Sequence, residues 1–410
     1  MNKFFKRFLI VLSVVILVLP VVNLKNVKAV EEPEIDASAV MAFDSNTGQI
    51  IYQKNAEKKV AIGSITKIIT LYLVTEAIKD GKLKESDQLT PTPEQAEMTQ
   101  SDELTNVRLD TDKAYTVKDL YNAAWIVSSN SAAMMLAQKV SGDQASFVKL
   151  MRKTLRSWGI KDAEINNASG LNNSDLKEGM YLGQNNAENK LSVNDIAIIV
   201  KHILNKYPEI LKTTSKQSFI FPEGSETKTY TSLNLLLNGN RDYQEGYEFD
   251  GLKTGTTEQA GDSFVGTLPM GNSRIVTIVM DAGGDDSDLD KRFRATQNLA
   301  KYVKDNFVNK KVLTKNQKIT VTNKKHKYIN ENDVYMWLPE DFNENSLSYN
   351  VSKTDLGFKT KENKKTVKLI ATNSQNGYLP YPKEEVIIKK IKKVQKSLWH
   401  QITEFFENLF

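Results

Sequence analysis

The 410-residue chain carries 55 basic and 50 acidic side chains, three histidines and no cysteine. A chain without cysteine excludes thiol catalysis, disulfide bonds and thiolate metal sites. The histidines, His202, His326 and His400, form no ligand motif, so we expect no metal and no other cofactor. The net charge of +5 is mild and accompanies no recognition motif, so no nucleic-acid partner is expected. The length favours two domains over one.

The N-terminus has the pattern of an export signal. Lys3, Lys6 and Arg7 precede an apolar run over residues 8–22, and a small-residue site at 27–29 follows. This run of about 15 residues is shorter than the roughly 20 that span a bilayer. The pattern therefore favours a cleaved signal peptide, residues 1–29, over an uncleaved anchor, and we expect an exported protein.

Residues 30–309 contain strands, then helices, then strands again. Strands are predicted over 39–43 and 49–53 as a hairpin, and over 264–281 as two strands around a turn at 270–272. Helices are predicted over 64–79, 117–140 with a break near 128–130, 145–158, 193–205 with Ser192 as N-cap, and 287–308. This order predicts an α+β domain whose helices pack on an antiparallel sheet.

The character of the chain changes after residue 309. Residues 310–382 are rich in Lys, Thr, Asn and Val and contain short alternating runs, such as 318–321 and 366–371, which predict a small all-β domain.

Residues 383–410 are predicted to form a C-terminal amphipathic helix, because apolar side chains recur at steps of three and four. They are Ile387, Ile391, Val394, Leu398, Ile402, Phe405 and Leu409. Lysines at 389, 390, 392, 393 and 396 line the other side. A basic helix of this kind binds membrane surfaces. The alternative is a helix docked on the chain's own β domain.

Three short motifs occur in order: Ser64-Ile-Thr-Lys67, Ser128-Ser-Asn130 and Lys253-Thr254-Gly255. An S-x-x-K alone is weak, since Ser174 and Lys177 form another. Ser64, however, opens an apolar helix, whereas Ser174 lies in a polar loop. On a helix, residues three apart share a face, which places Lys67 beside the Ser64 hydroxyl.

A serine needs an adjacent base before it can attack a carbonyl, and no histidine lies near these motifs. A lysine can serve if burial or a second cation such as Lys253 lowers its pKa. The backbone N–H of Ser64, at the start of a helix, is a possible oxyanion donor. In the non-catalytic alternative, Ser64 is an N-cap and Lys67 is a surface charge. Only the presence of the other two motifs in the same chain argues against this alternative.

Together the motifs resemble the S-x-x-K, S-x-N and K-T-G set of penicillin-recognising serine enzymes. Residues 63–70, 128–142, 167–171 and 249–257 further resemble the D-alanyl-D-alanine carboxypeptidases, which are low-molecular-mass penicillin-binding proteins. The resemblance implies a β-lactamase/transpeptidase-like catalytic domain, followed by a small β domain and a terminal membrane-associating helix. It also implies a location on the outer face of the bacterial cytoplasmic membrane.

The resemblance implies a role for each motif residue. Ser64 would be the acylated nucleophile, Lys67 its base, Ser128 a proton relay, and Asn130 a holder of the substrate amide and of Lys67. The terminal carboxylate would be bound by Lys253, Thr254 and Thr256 around Gly255, and the oxyanion by the backbone N–H groups of Ser64 and Thr256. The partners implied are a peptidoglycan stem peptide ending in D-Ala-D-Ala and β-lactam antibiotics.

Two alternatives remain open at this point. A class A β-lactamase uses a glutamate and an asparagine on a loop for deacylation. Glu164 is a possible counterpart here, but Ala168 stands where the asparagine is needed. A non-catalytic penicillin-binding sensor or cell-wall protein would tolerate loss of Lys67 or Lys253.

Overall fold

The computed structural model describes residues 31–283, 291–320, 327–330, 332–340, 342, 347–350, 365–371, 379 and 386–390. The predicted signal peptide lies outside the described residues, as do most of the residues in the predicted terminal helix.

The strands in chain order are β1 (Ala37–Asp44), β2 (Ile50–Lys54), β3 (Lys59–Ala61), β4 (Gln88–Leu89), β5 (Tyr115–Thr116), β6 (Lys190–Ser192), β7 (Ser218–Glu223), β8 (Glu226–Thr231), β9 (Gly251–Gly255), β10 (Ser263–Met270), β11 (Ser273–Ala282), β12 (Phe307–Leu313), β13 (Lys318–Thr320), β14 (Lys327–Asn330), β15 (Val334–Pro339), β16 (Leu347–Asn350), β17 (Lys365–Ala371) and β18 (Val386–Lys390). The helices are α1 (Lys67–Lys79), α2 (Pro93–Glu97), α3 (Val117–Ile126), α4 (Asn130–Ser141), α5 (Gln144–Ser157), α6 (Val193–Lys206), α7 (Leu211–Thr214) and α8 (Lys291–Asn306).

The centre of the molecule is a five-stranded antiparallel sheet in the order β2-β1-β11-β10-β9. In β1, Met41 and Phe43 face a core shared with α1 and α3 to α6, whereas Val40 and Ala42 face a second core beneath α8. Both faces of the sheet are covered, so β1 has a continuous apolar sequence rather than an alternating one. The predicted α+β class, with helices packed on an antiparallel sheet, is confirmed.

The predicted helices form with small shifts at their ends. The helix predicted over 117–140 breaks where expected, between Ile126 and Asn130. Ser192 caps α6, its Oγ accepting a 3.1 Å hydrogen bond from the Asp195 N–H. Ser64 itself lies in a 3₁₀ turn, Gly63–Thr66, which leads into α1.

Where the structure describes residues 310–382, the regular elements are strands. β12 pairs with β15, and a second sheet has the order β13-β14-β18-β17-β16. Trp337 of β15 joins this region to the central sheet: its Nε1–H donates to Asp44 Oδ2 at 2.6 Å. The Trp337 backbone also exchanges two hydrogen bonds of 2.7 Å with the Gln49 side chain.

The prediction of a helix over 383–410 is wrong at its start. Val386–Lys390 forms β18, which pairs with β14 and β17. The run Val386-Ile387-Ile388 is β-branched and only three residues long, a pattern that fits a strand as well as a helix face. The pairing partners decide between them. Residues 391–410 lie outside the described residues.

Candidate active site

The Ser64 and Lys67 side chains are adjacent, as the spacing of three predicts. Lys67 Nζ lies 2.7 Å from Ser64 Oγ. It also donates to Asn130 Oδ1 at 2.7 Å and to the Ser169 carbonyl at 2.8 Å. Lys67 is completely buried, so it is not the surface charge of the non-catalytic alternative.

Three oxygens surround Lys67 Nζ: Ser64 Oγ, Asn130 Oδ1 and the Ser169 carbonyl oxygen. The two carbonyl-type oxygens can only accept, whereas the Ser64 hydroxyl can accept from the amine or donate to it. Burial lowers the pKa of Lys67 well below its ordinary value, and the positive charge of Lys253 lowers it further. Both effects favour the neutral amine, the form of lysine that can accept a proton.

A tight turn between α3 and α4 presents Ser128 and Asn130. Ser128 has a positive φ of 62°, unusual for a residue with a side chain. Ser129 caps α4, its Oγ accepting from the Ala132 N–H at 3.3 Å. The Ser128 hydroxyl is buried and has no hydrogen-bond partner within the described residues.

The carbonyl of Thr105 determines the orientation of the Asn130 amide. It accepts from the backbone N–H of Asn130 at 3.1 Å and from its Nδ2 at 3.0 Å. With Nδ2 so engaged, Oδ1 faces Lys67. Asn130 thus contacts Lys67 through an acceptor oxygen, which fixes the position of the amine.

The K-T-G motif forms β9, the last strand of the sheet, and packs against the Ser64 turn. A Cβ on Gly255 would lie 2.8 Å from the Ile62 carbonyl, so no side chain fits there. Likewise a Cβ on Gly63 would lie 3.1 Å from the Thr256 N atom, which places the backbone of Thr256 beside the residue that precedes Ser64. The backbone N–H groups of Ser64 and Thr256 are thus on neighbouring segments, as an oxyanion site requires.

Lys253 is the second buried lysine of the site. Burial lowers its pKa to about 7, and the charge of Arg292 contributes. Its Nζ donates to the Thr254 carbonyl at 3.0 Å and lies 3.5 Å from Thr254 Oγ1. Near neutral pH this group changes charge readily, so an anionic ligand would draw it into the protonated form.

Arg292, from the first turn of α8, supports the exposed end of β9. Its Nη1 donates to the Gly255 carbonyl at 3.0 Å and to Thr256 Oγ1 at 2.8 Å, and its guanidinium forms an ion pair with Asp262. Because Thr256 Oγ1 accepts from Arg292, its own O–H remains available as a donor.

The loop over residues 164–173 supplies the carbonyl that contacts Lys67. Within it, Asn167 Oδ1 accepts from the backbone N–H groups of Ser169 and Gly170 at 3.2 and 2.7 Å. Asn189 holds the loop to the Ser64 turn, because its Nδ2 donates to Thr66 Oγ1 and to the Asn167 carbonyl, both at 2.9 Å. The Ser169 carbonyl is therefore fixed by side-chain amides on two segments.

Glu164, the possible counterpart of a lactamase glutamate, lies on the surface. Its side chain is 55% exposed and pairs with Lys59 at 3.4 Å, and its backbone pairs with Lys190. In this structure it takes no part in the Ser64–Lys67 contacts. Among the described residues, no group of three or more His, Asp or Glu side chains is arranged to hold a metal ion.

The structure brings together the three segments that carry the eight predicted site residues: Asn130 contacts Lys67, and β9 packs against the Ser64 turn. These three segments border the candidate cleft. The structure also adds residues that the sequence did not single out: Thr105, Ser169, Asn189 and Arg292. Thr105 and Ser169 act through backbone carbonyls, which leave no signal in side-chain identity. Arg292 lies 36 residues from Thr256 in sequence, and only the packing of α8 on the sheet brings the two together.

Comparison with known proteins places the chain in a family. Residues 26–284 match the model of the family described as D-alanyl-D-alanine carboxypeptidase. The chain is 31% identical over 255 residues to D-alanyl-D-alanine carboxypeptidase DacF of Bacillus subtilis, a match covering 62% of this chain and 60% of that protein. The chain spans about 60% of the length of the curated relatives it matches.

Two solved structures are similar over most of their own length. The peptidoglycan synthesis regulatory factor PBP3 from Streptococcus pneumoniae is 34% identical with a TM-score of 0.72, the match covering 88% of this chain and 99% of that one. Penicillin-binding protein D2 from Listeria monocytogenes, in a cefotaxime-bound form, is 28% identical with a TM-score of 0.55, covering 66% of this chain and 98% of that one. The resemblance predicted from the three motifs is confirmed.

Proposed function

The chain belongs to the D-alanyl-D-alanine carboxypeptidase family, and we propose that it removes the terminal D-alanine from peptidoglycan stem peptides through an acyl-enzyme on Ser64. The observation that carries this proposal is the Lys67 amine, completely buried and 2.7 Å from Ser64 Oγ, with its pKa lowered by that burial. A serine and a neutral amine in this contact form a nucleophile and its general base.

In the first half-reaction, Ser64 Oγ attacks the carbonyl between the two terminal D-alanines while Lys67 takes the hydroxyl proton. The tetrahedral oxyanion receives hydrogen bonds from the backbone N–H groups of Ser64 and Thr256. Ser128, buried and without a hydrogen-bond partner among the described residues, passes its proton to the departing nitrogen and takes the proton held by Lys67 in return. The C–N bond breaks, D-alanine leaves, and an ester to Ser64 remains.

In the second half-reaction, water attacks the ester carbonyl while neutral Lys67 takes one of its protons. Lys67 passes this proton to Ser64 Oγ as the Ser64–acyl bond breaks. The shortened stem peptide leaves as a carboxylic acid, which releases its remaining proton to solvent. A stem shortened in this way cannot donate its D-alanyl carbonyl to a cross-link, so the activity limits cross-linking.

Substrate recognition centres on the terminal carboxylate. Lys253 in its protonated form, with the hydroxyls of Thr254 and Thr256, provides one cation and two neutral donors on β9 and just beyond its end. Gly255 lets this backbone approach the Ser64 turn. A β-lactam presents an amide carbonyl and a carboxylate in a similar arrangement, so we expect it to acylate Ser64. The cefotaxime-bound form of the Listeria relative supports this expectation.

The test is D-alanine release from a synthetic pentapeptide, measured with and without penicillin, for the wild-type protein and Ser64→Ala. The wild type should release D-alanine and take up a fluorescent penicillin, and the variant should do neither. Retention of either property by Ser64→Ala would remove Ser64 from its role. Turnover of penicillin within seconds, without D-alanine release, would favour a β-lactamase instead.

Attachment to the membrane surface belongs to the same proposal. None of the helices in the described part of the chain is both long and apolar enough to cross a bilayer. The support is the sequence pattern of residues 391–410, in which Lys392, Lys393 and Lys396 accompany a stripe of apolar and aromatic side chains. Deleting 391–410 keeps β18 and should abolish co-sedimentation with phosphatidylglycerol vesicles. Sedimentation of the truncated protein with those vesicles would contradict the proposal.

A further inference from the structure

Glu188 is a buried carboxylate to which the mechanism above gives no role. Its side chain is 3% exposed. Oε2 accepts from Thr257 Oγ1 at 2.6 Å, and Oε1 accepts from Asn172 Nδ2 at 3.4 Å. Neither contact is with a cation. A buried carboxylate is costly unless hydrogen bonds hold it, and both of these hydrogen bonds come from segments that border the cleft.

The segment that carries Glu188 is tied to both sides of the nucleophile. The carbonyl of the next residue, Asn189, accepts from the Ile62 N–H at 3.0 Å, before Ser64. The Asn189 side chain donates to Thr66 Oγ1 at 2.9 Å, after Ser64. Glu188 therefore extends from a point fixed relative to Ser64.

The hydrogen bond from Thr257 links Glu188 to the segment that carries the Thr256 N–H, one of the two proposed oxyanion donors. Thr257 has one hydroxyl proton, which it gives to Glu188, while its Oγ1 accepts from the Ala260 N–H at 3.0 Å. Both bonds fix the turn that directly follows Thr256, whose N atom lies beside Gly63. Loss of the acceptor would leave this turn held by Arg292 and by the Ala260 N–H without the bond to the Ser64 side. A displacement of about 1 Å at such a site can cost about a hundredfold in rate.

We propose that Glu188 is a positioning residue that acts through Thr257 to hold the Thr256 backbone in register with Ser64. It contacts neither the nucleophile nor its base. The inference rests on the proposed function, since the alignment it describes is that of the oxyanion site. A carboxylate is suited to the task because it accepts from two segments at once, Thr257 on one side and Asn172 on the other.

The test is a double-mutant cycle on the full chain with Glu188→Ala, Thr257→Val and the double variant. The measurements are the rate constant of acylation by a fluorescent penicillin, kcat and KM for D-alanine release, and the melting temperature. Glu188→Gln keeps an acceptor oxygen, and Glu178→Ala removes an exposed glutamate of the same loop region as a matched control.

Each single variant should lower the acylation rate and kcat by about ten- to a hundredfold with little change in KM. The double variant should be no slower than the slower single variant by more than about threefold, because the hydrogen bond between Glu188 and Thr257 is already absent from each single variant. Glu188→Gln should recover most of the rate, and Glu178→Ala should match the wild type.

The inference would be overturned if the rate losses of the two single variants multiplied in the double variant, or if Glu188→Ala were acylated at the wild-type rate. If Glu188→Ala does not fold, the inference is tested with Thr257→Val and Glu188→Gln. A Thr257→Val protein that is acylated at the wild-type rate would overturn the positioning role of Glu188. A wild type that neither takes up penicillin nor releases D-alanine refutes the proposed function itself, whereas an active wild type with unaffected variants refutes this inference alone.

Discussion

Replacing Lys67 tests whether this lysine is a base or only a donor that orders the site. In Lys67→Met the Ser64 hydroxyl loses its proton acceptor. General-base catalysis contributes about 10²–10⁴ in rate, so we expect acylation to slow by about 10³-fold, or about 4 kcal/mol in the activation barrier. Lys67→Arg separates the two roles, because guanidinium donates hydrogen bonds but does not deprotonate in proteins.

We expect Lys67→Arg to lose as much of the acylation rate as Lys67→Met. Asn130 Oδ1 and the Ser169 carbonyl, at 2.7 and 2.8 Å from Nζ, can still accept from the guanidinium. No lone pair then faces Ser64. If the lysine merely donated hydrogen bonds, Lys67→Arg would keep much of the activity.

The assay is the second-order rate constant for labelling by a fluorescent penicillin, with D-alanine release measured in parallel. Lys177→Met is a matched control, because Lys177 belongs to the other S-x-x-K match but is 53% exposed and pairs with Glu97. It should label at the wild-type rate. Labelling of Lys67→Arg or Lys67→Met within tenfold of wild type would refute the assignment of Lys67 as the base.

Three further predictions concern the carboxylate site, the loop and the attachment of the β region. Burial lowers the pKa of Lys253 to about 7, so its protonated form prevails below that pH. The KM of the wild type for the pentapeptide should therefore rise as the pH increases above about 7. A Lys253→Gln variant should have a higher KM that does not depend on pH in this range. In Gly170→Ala the new Cβ would lie 1.9 Å from the Gly63 carbonyl, so both melting temperature and acylation rate should fall. The control Gly179→Ala has a similar φ, +87° against +88°, but open space, and should lose only the roughly 1 kcal/mol of backbone strain; equal losses in the two would contradict the clash. Trp337→Phe leaves the buried Asp44 carboxylate without its 2.6 Å indole donor and should destabilise the protein by about 1–3 kcal/mol, visible in thermal unfolding, while D-alanine release by the folded variant stays at the wild-type level.

The elements that sequence patterns predicted well are those whose signals are local. The 264–281 strand pair, the cap at Ser192 and the break before Asn130 all depend on residues within a few positions of each other, and each forms as expected. The prediction of the terminal helix is wrong at its start because its sequence pattern, although equally local, was ambiguous. A short β-branched run at 386–388 suits either structure, and its partners on β14 and β17 lie far away in sequence.

For the candidate site, the sequence by itself determined which groups are present: a serine and a lysine three residues apart, and the residue types of the two other motifs. What it left undetermined is the protonation of that lysine. Burial and the charge of Lys253 lower the pKa of Lys67, and acceptors on distant segments fix the position of its amine. These effects depend on dielectric surroundings and on distances between segments about 60 to 190 residues apart, so only the tertiary structure decides them.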